Sequence, residues 1–296
     1  MSSPLAGAPV VGLRTVERRR RRRKRARRAG VNALGLLVFA IMIFPVYWMV
    51  ATAFKRGSDI FANTPVWFPI HPTLSNFSDA IHRPHFWSDV KNSLIIVTCV
   101  VVFSLVLAFL AALALAKFRF YGRKAFIVLI IGVQMIPLNA LIIPIYLVLS
   151  KAHQVDKLSG VIVTYLTFVL PFTVWTLRGF LSGVPRELEE AAQVDGSTRF
   201  GAFVRILLPL IGPGLVATSI FAFIQAWNEF IMAYVLLHSP EKQTLTVWLA
   251  GFITDRGTAW GPLMAGATLT ALPVVIFFVA IQRRIAFGLT AGAVRG

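Results

Sequence analysis

The sequence predicts an all-α membrane protein with six transmembrane helices, and three features carry that prediction. Aliphatic and aromatic residues make up 57% of the 296 residues and charged residues 14%, a balance outside the range of an ordinary soluble domain. The apolar residues fall in blocks of about 20 residues or more, the length of helix that crosses a hydrocarbon layer. These blocks lack the two-residue alternation of barrel strands, and an open sheet would leave backbone groups unpaired in lipid.

The blocks follow in chain order. Residues 1–30 hold a basic run from Arg18 to Arg28 and are expected to form a disordered cytoplasmic tail. No aromatic residue in the run can stack on bases, so attraction to anionic membrane lipid explains it and no nucleic-acid partner is implied. The first apolar block covers 31–53. Its end, Ala51-Thr52-Ala53, imitates a signal-peptidase site, but the block is longer than a signal h-region and is read as an uncleaved span. The other blocks are 92–116, 125–150, 159–181, 210–237 and 262–282. Pro45, Pro137, Pro144, Pro171 and Pro273 lie inside blocks, where kinks rather than breaks are expected because neighbouring helices can satisfy the freed carbonyls. A six-helix domain over 31–285 results, with its core at 91–282, a polar loop at 182–209 and a C-terminal tail at 286–296.

Lysine and arginine orient the chain. With the N-terminus inside, inner segments carry 22 basic residues and outer segments 8, which accounts for all 30. Both termini are therefore expected in the cytoplasm of a multi-pass protein. Without the N-terminal run the balance is 11 to 8, so that run decides the orientation.

Several enzyme classes are excluded. Cys99 is the only cysteine and lies inside the second block, so neither an intrachain disulfide nor a thiolate metal site is available. His71, His82, His85, His153 and His238 fall in outer loops without the i, i+4 pairing of a helical zinc site. No G-x-x-x-x-G-K phosphate loop and no G-x-S-x-G nucleophile turn occurs. The chain is expected to have no catalytic residue, bound cofactor or metal. Energy for active transport must then come from a partner or an ion gradient. The interior offers a single acid, Glu229, beside Asn228, with Gln134, Asn139 and Gln225 as further polarity. One acid without a buried basic partner is a poor proton relay. Gln225, Asn228 and Glu229 are read either as part of a translocation route or as interhelical hydrogen-bonding groups.

The loop between the fourth and fifth blocks carries the most specific pattern. Pro185 can open a short helix, and Glu187, Glu189 and Glu190 suit the positive end of its dipole. Ala191 and Ala192 favour helix without bulk, so another surface can approach closely. Asp195-Gly196-Ser197-Thr198 is turn chemistry followed by an N-cap, and Phe200, Phe203, Val204 and Leu207 recur at helical spacing. The outcome is helix, sharp turn, helix. By itself this also describes an ordinary amphipathic connector.

The spacing of Glu190-Ala191-Ala192, Gly196, Ile206, Leu207, Leu208 and Pro209 resembles the cytoplasmic loop signature of binding-protein-dependent ABC importer permeases. The first outer segment, from Pro65 through Leu74-Ser75-Asn76-Phe77 to Lys91-Asn92-Ser93, is similar to carbohydrate importers of the maltose-transporter type. So are Trp227-Asn228-Glu229-Phe230, Thr244-Leu245-Thr246-Val247 and the tail from Gly288 to Gly296. The resemblance covers nearly everything after residue 31, and the arginine-rich extension departs from it. It implies the type I importer permease fold and a heterodimer with a second homologous permease. It also implies two copies of a separate ATPase that uses ATP and magnesium, and an extracytoplasmic solute-binding lipoprotein. Glu190, Ala191, Ala192, Gly196, Phe200, Phe203, Ile206 and Pro209 would meet the ATPase, and Gly288, Thr290 and Gly292 would reach it through the tail. The cargo implied is a di- or oligosaccharide, with a glycerol phosphate ester as an alternative. The rival classes are a secondary carrier or facilitator, and a structural anchor that carries no flux.

Overall fold

A computed structural model describes residues 11–292, with side chains between residues 24 and 281 apart from 26. The chain is helical nearly throughout. Helix α1 is Val11–Ala53, and the short α2 and α3 are Gly57–Ile60 and Ser75–Ile81. Next come α4 (Phe86–Lys117), α5 (Arg123–Gln134), α6 (Ile142–Lys151) and α7 (Leu158–Ser182). The loop helices are α8 (Glu187–Val194), α9 (Arg199–Ala202) and α10 (Leu208–Leu210), and α11 (Gly212–Asn228) and α12 (Ile231–Leu236) follow. Helix α13 (Leu245–Ala250) precedes a two-stranded antiparallel hairpin, β1 (Ile253–Thr254) and β2 (Gly257–Thr258), and α14 (Trp260–Gly292) ends the chain.

Four helices are long and apolar enough to cross a membrane alone, within α1, α4, α7 and α14, and two bent pairs bring the total to as many as six. The third block is where the structure differs from the expected kinks. Residues 123–134 and 138–151 meet at 93°, a break rather than a bend. Pro137 causes it, because it donates no backbone N–H and disfavours helical backbone at Ile136. The other four prolines remain inside helices. The fifth block is also interrupted, at Glu229 and Phe230 between α11 and α12.

Both chain ends extend helix beyond the expected spans. Helix α1 takes in the basic run from Val11, where a disordered tail was expected, since arginine and lysine are good helix formers and no proline interrupts them. Helix α14 runs to Gly292. Side chains at Gly288, Thr290 and Gly292, and all of residues 1–10 and 293–296, lie outside the described residues.

Helices α4 and α7 form the centre. Ser104, Ala108 and Ala112 are fully buried along one stripe of α4, opposite the buried Thr164, Thr173 and Leu177 of α7. Small residues at four-residue spacing let two helix backbones approach closely where no hydrophobic effect drives association. The threonine hydroxyls donate back to Gly160 and Val169 carbonyls at 2.8 and 2.9 Å, so their burial leaves no unpaired donor. Helix α11 crosses against α7 at Gly214, where a Cβ would sit 2.5 Å from the Phe180 ring. Helix α1 stays at the edge, packing on α14 and leaving Met42, Ile41 and Phe39 uncovered.

A clamp closes the end of the bundle expected to face outward. Asp156, at a positive φ of 57°, accepts from the backbone N–H groups of His238 and Ser239 at 3.0 and 2.9 Å. It also accepts from the Ser239 hydroxyl at 2.5 Å and the Lys242 ammonium at 2.7 Å. Partial burial alone would raise its pKa, but these donors hold the carboxyl well below the usual carboxylate range. A lowered carboxyl pKa stabilises the fold fully above the unfolded value, about 3.9, and that stabilisation fades as pH falls below it toward the lower folded value. Asp156→Asn is therefore expected to lower the melting temperature of the reconstituted protein by a constant amount above about pH 5. The difference should shrink toward pH 3, as measured by thermal unfolding across a pH series.

Candidate functional site

Two regions gather the residues singled out by sequence. The first is the elbow α8–α9. Three glutamates occupy the first turn of α8, where they suit the helix dipole. Pro185 stands two residues ahead of the first helical residue, and Arg186 takes the N-cap. Helix α8 ends at Asp195, and Gly196 turns the chain at φ +90°, with open space around the position a Cβ would take. Backbone conformation rather than crowding therefore calls for glycine here. Thr198 then caps α9, its hydroxyl accepting from the Gly201 N–H at 3.0 Å. This is the helix, turn and helix that the spacing predicts.

The elbow has a held face and an open face. On the held face, the Lys117 ammonium at the end of α4 pairs with Glu189 at 2.5 Å, both side chains mostly buried. The Arg186 guanidinium donates to the Lys117 carbonyl at 2.7 Å. Ala192 is buried on this side, and Phe203 packs on Phe109 of α4 with centroids 5.7 Å apart. On the open face, Val194 is 87% and Phe200 75% exposed, with Glu190, Ala191 and Gly196 also exposed. The two alanines therefore part company, and so do the two phenylalanines. Glu190 lines a crevice of about 470 Å³ together with Lys117, Arg186, Glu189, Gln193 and Arg199.

Helix α9 does not stop at the elbow. A π-helical turn over Phe203–Leu207 joins it to α10, so that residues 199–210 run into α11 with a 62° bend. Pro209 removes a backbone donor here, and a single wide turn accommodates its ring. Ile206 is half-buried in that turn and Pro209 exposed, while Leu207 is buried in the core at this end of the bundle. A push on the elbow thus has two covalent or ionic routes into the bundle, through Lys117 to α4 and through the π turn to α11.

The second region is a cavity of about 650 Å³ between α5, α7 and α11. Gln134, Gln225, Asn228 and Glu229 line it, with Phe168, Phe172 and Phe221. Phe172 and Phe221 lie 3.8 Å apart at 30°. Gln225 and Asn228 are exposed to this space, whereas Glu229 is engaged. Its carboxylate accepts from the Met232 and Ala233 N–H groups at 2.9 and 3.2 Å, and from the Tyr165 hydroxyl at 2.7 Å. Asn228 donates to the Ile224 carbonyl at 3.0 Å. Glu229 thus caps α12 and ties it to α7, while all three residues of the trio line one cavity.

Sequence reasoning missed Lys117, Glu189 and Arg186 as a lock, and Tyr165 as the partner of Glu229. The only hint of the lock was a lysine at the end of an apolar block, and Tyr165 lay unmarked in its span. Asn139 does not join the cavity lining. Among the described residues no group of three or more potential metal ligands occurs.

Residues 104–290 match the family described as "Binding-protein-dependent transport system inner membrane component". The chain is 48% identical to the diacetylchitobiose uptake system permease protein of Streptomyces coelicolor, over 88% of this chain and 95% of that one. It is 34% identical to the arabinooligosaccharides transport system permease protein of Halalkalibacterium halodurans, over 86% and 92%. Its fold matches a chain in the crystal structure of a bacterial ABC transporter that imports the acidic polysaccharide alginate. That match has a TM-score of 0.73 at 24% identity and covers 86% of this chain and 94% of that one. The chain belongs to this family of inner-membrane transport components.

The held face predicts a charge-reversal result. Lys117→Glu and Glu189→Lys should each weaken elbow attachment by roughly 1.5–3 kcal/mol, read as faster amide exchange across α8, and the double swap should recover most of the protection. Gly196→Ala should add strain of about 1–2 kcal/mol at the left-handed turn, with the same readout and no effect on membrane insertion.

Proposed function

We propose that this chain, as a member of that family, is the sugar-translocating membrane subunit of an ABC importer whose ATPase is a separate protein. The observation that carries this reading is the two-faced elbow. One face is bonded to α4 by Lys117 and Glu189, while the other offers Val194, Phe200, Ala191 and Glu190 to a partner. Exposed large apolar residues on a short helical elbow attached by an ion pair suit a docking surface. Glu190 orients the docked helix through a hydrogen bond or ion pair, Gly196 supplies the turn, and Phe200 enters a groove of the ATPase. Ala191 provides the close approach, whereas Ala192, Phe203 and Ile206 support the elbow from beneath and Pro209 shapes the bend that follows.

The elbow works as a rigid lever. Closure of the ATPase pair displaces α8 and α9, and α4 and α11 turn with them between inward-open and outward-open states. Both termini and the elbow lie on the cytoplasmic side, the side that the lysine and arginine distribution favours. The complete transporter pairs this chain with a second homologous permease, two ATPase copies and an extracytoplasmic solute-binding lipoprotein. Gly288, Thr290 and Gly292 approach the ATPase from the C-terminal tail.

The cargo is a di- or oligosaccharide. Relatives named for diacetylchitobiose and arabinooligosaccharides support that class. The cavity beside α11 suits a sugar, because Phe172 and Phe221 give it an aromatic wall and Gln134, Gln225 and Asn228 give it amides that both donate and accept. Glu229 contributes its position more than its charge, since three donors already occupy its carboxylate.

Uptake of labelled oligosaccharide by the reconstituted transporter tests the reading. Glu190→Arg and Gly196→Pro are expected to abolish ATP-dependent uptake while the protein still inserts and ATP hydrolysis continues uncoupled. Normal uptake by both variants would favour a structural anchor or an ATPase-independent carrier. Gln225→Leu should raise the KM for sugar without changing the ATPase rate measured in its absence.

A further inference from the structure

Just past the last turn of α1 lies a cavity of about 310 Å³ that the import reading leaves unused. Its polar groups are Thr52, Lys55 and Asp59, and its walls include Trp48, Phe61, Trp260 and Met264. Lys55 is 2% exposed and Thr52 6% exposed. The backbone here is rigid, because the Asn76 amide donates to the carbonyls of Ala53 and Lys55 at 2.9 and 2.8 Å.

The side chains are not satisfied in the same way. The Lys55 ammonium rests 3.8 Å from the centroid of the Trp48 ring, and among the described residues it joins no ion pair. Its pKa is pushed down by burial, against the pull of Asp59. The Thr52 hydroxyl and one Asp59 carboxylate oxygen are buried without any hydrogen-bond partner. Buried polar groups are normally paired, so two unpaired ones and a buried ammonium without an ion pair around one cavity describe a site shaped for a ligand. Such a ligand must accept from an ammonium and donate to a carboxylate, and it must be neutral overall to match one positive and one negative group.

Location narrows the ligand further. The cavity sits where an apolar span ends, beside Tyr47, Trp48 and Trp67, of which the Tyr47 hydroxyl donates to the Trp67 carbonyl at 2.6 Å. Clustered tryptophan and tyrosine at the end of a span mark the headgroup level of a bilayer. The neighbouring flank of α1, with Phe44 and Val46, is uncovered and apolar. Acyl chains can therefore lie along α1 while a polar head enters the cavity.

We propose that this cavity binds the phosphoethanolamine headgroup of a membrane lipid, with its phosphate on Lys55 and Thr52 and its ammonium on Asp59. A choline head carries no N–H to give to Asp59, so the site discriminates between the two zwitterionic lipids. The proposal needs only that α1 spans a membrane, and it stands apart from the direction or cargo of transport.

The test uses the assembled transporter in nanodiscs and native mass spectrometry after detergent release. Wild type should retain dioleoylphosphatidylethanolamine in preference to dioleoylphosphatidylcholine, a comparison that requires no variant. Lys55→Gln and Asp59→Asn should each weaken that retention about tenfold, the loss expected for one charge-assisted hydrogen bond. Displacement by soluble phosphoethanolamine would support the headgroup as the recognised part. Equal retention of the two lipids by wild type, or undiminished retention by Lys55→Gln, would overturn the proposal. Protection of Lys55 from amine labelling by a disaccharide, with no lipid retained, would overturn it in favour of a sugar subsite.

Discussion

A helix that unwinds inside a membrane exposes backbone N–H and C=O groups where no water can meet them, and the architecture of this chain depends on how each break is repaired. The break after α11 shows the device most fully. Glu229 takes two N–H groups from the start of α12 and the hydroxyl of Tyr165 on α7. Its own carbonyl accepts from Thr246 at 2.8 Å. One residue thus caps a helix, bridges to the central helix and anchors the segment that follows. Asn92 and Ser93 repeat the logic from α4, the amide donating to the carbonyls of Glu241 and Gln243 and the hydroxyl accepting from the Leu245 N–H at 2.8 Å. Asn76 closes the end of α1 in the same manner. The end of the bundle expected to face outward is therefore stitched by side chains onto backbone.

The opposite end is built on a different principle. Only a few polar bonds hold α8, and beneath them Ala202, Leu207 and Ile211 lie buried under α4 and α7. One ion pair, the Arg186 hydrogen bond and a small packed base attach the elbow, while its other face carries uncovered apolar residues. The π turn at Phe203–Leu207 lies within the segment 199–210, and the 62° bend after Leu210 turns the chain into α11. Helix α9, that turn and α10 are continuous and meet α11 across this bend.

Sequence carried a large part of this in legible form. Apolar block length located the four unbroken spans to within several residues, since lipid imposes one length and one kind of secondary structure, whereas the third and fifth blocks turned out to be broken or bent. The elbow was legible because glycine, threonine and the acidic first turn each have a local physical meaning, and the left-handed φ of Gly196 is the meaning of its glycine. What stayed hidden depended on contacts between distant residues. Pro137 and Pro144 look alike in sequence, yet one breaks a helix and the other sits in a first turn, because tertiary surroundings decide which freed carbonyl finds a partner. Lys117 and Glu189 are far apart in the chain, and no spacing rule joins them. The segments at Asn92-Ser93, Glu229 and Thr244-Leu245-Thr246 looked like three separate marks of family, and folding makes them one hydrogen-bonded patch.

That patch bears on where energy enters. An ion-driven carrier needs an interior acid free to exchange its proton as it works, whereas the Glu229 carboxylate is committed to three donors that hold the fold together. The elbow has the opposite character, with an exposed apolar surface and a rigid path inward through α4 and α11. In the proposed importer, force applied at that surface would reach the cavity without breaking a bond of the patch around Glu229. The two ends would then divide the work, one transmitting movement and the other keeping the cavity's shape.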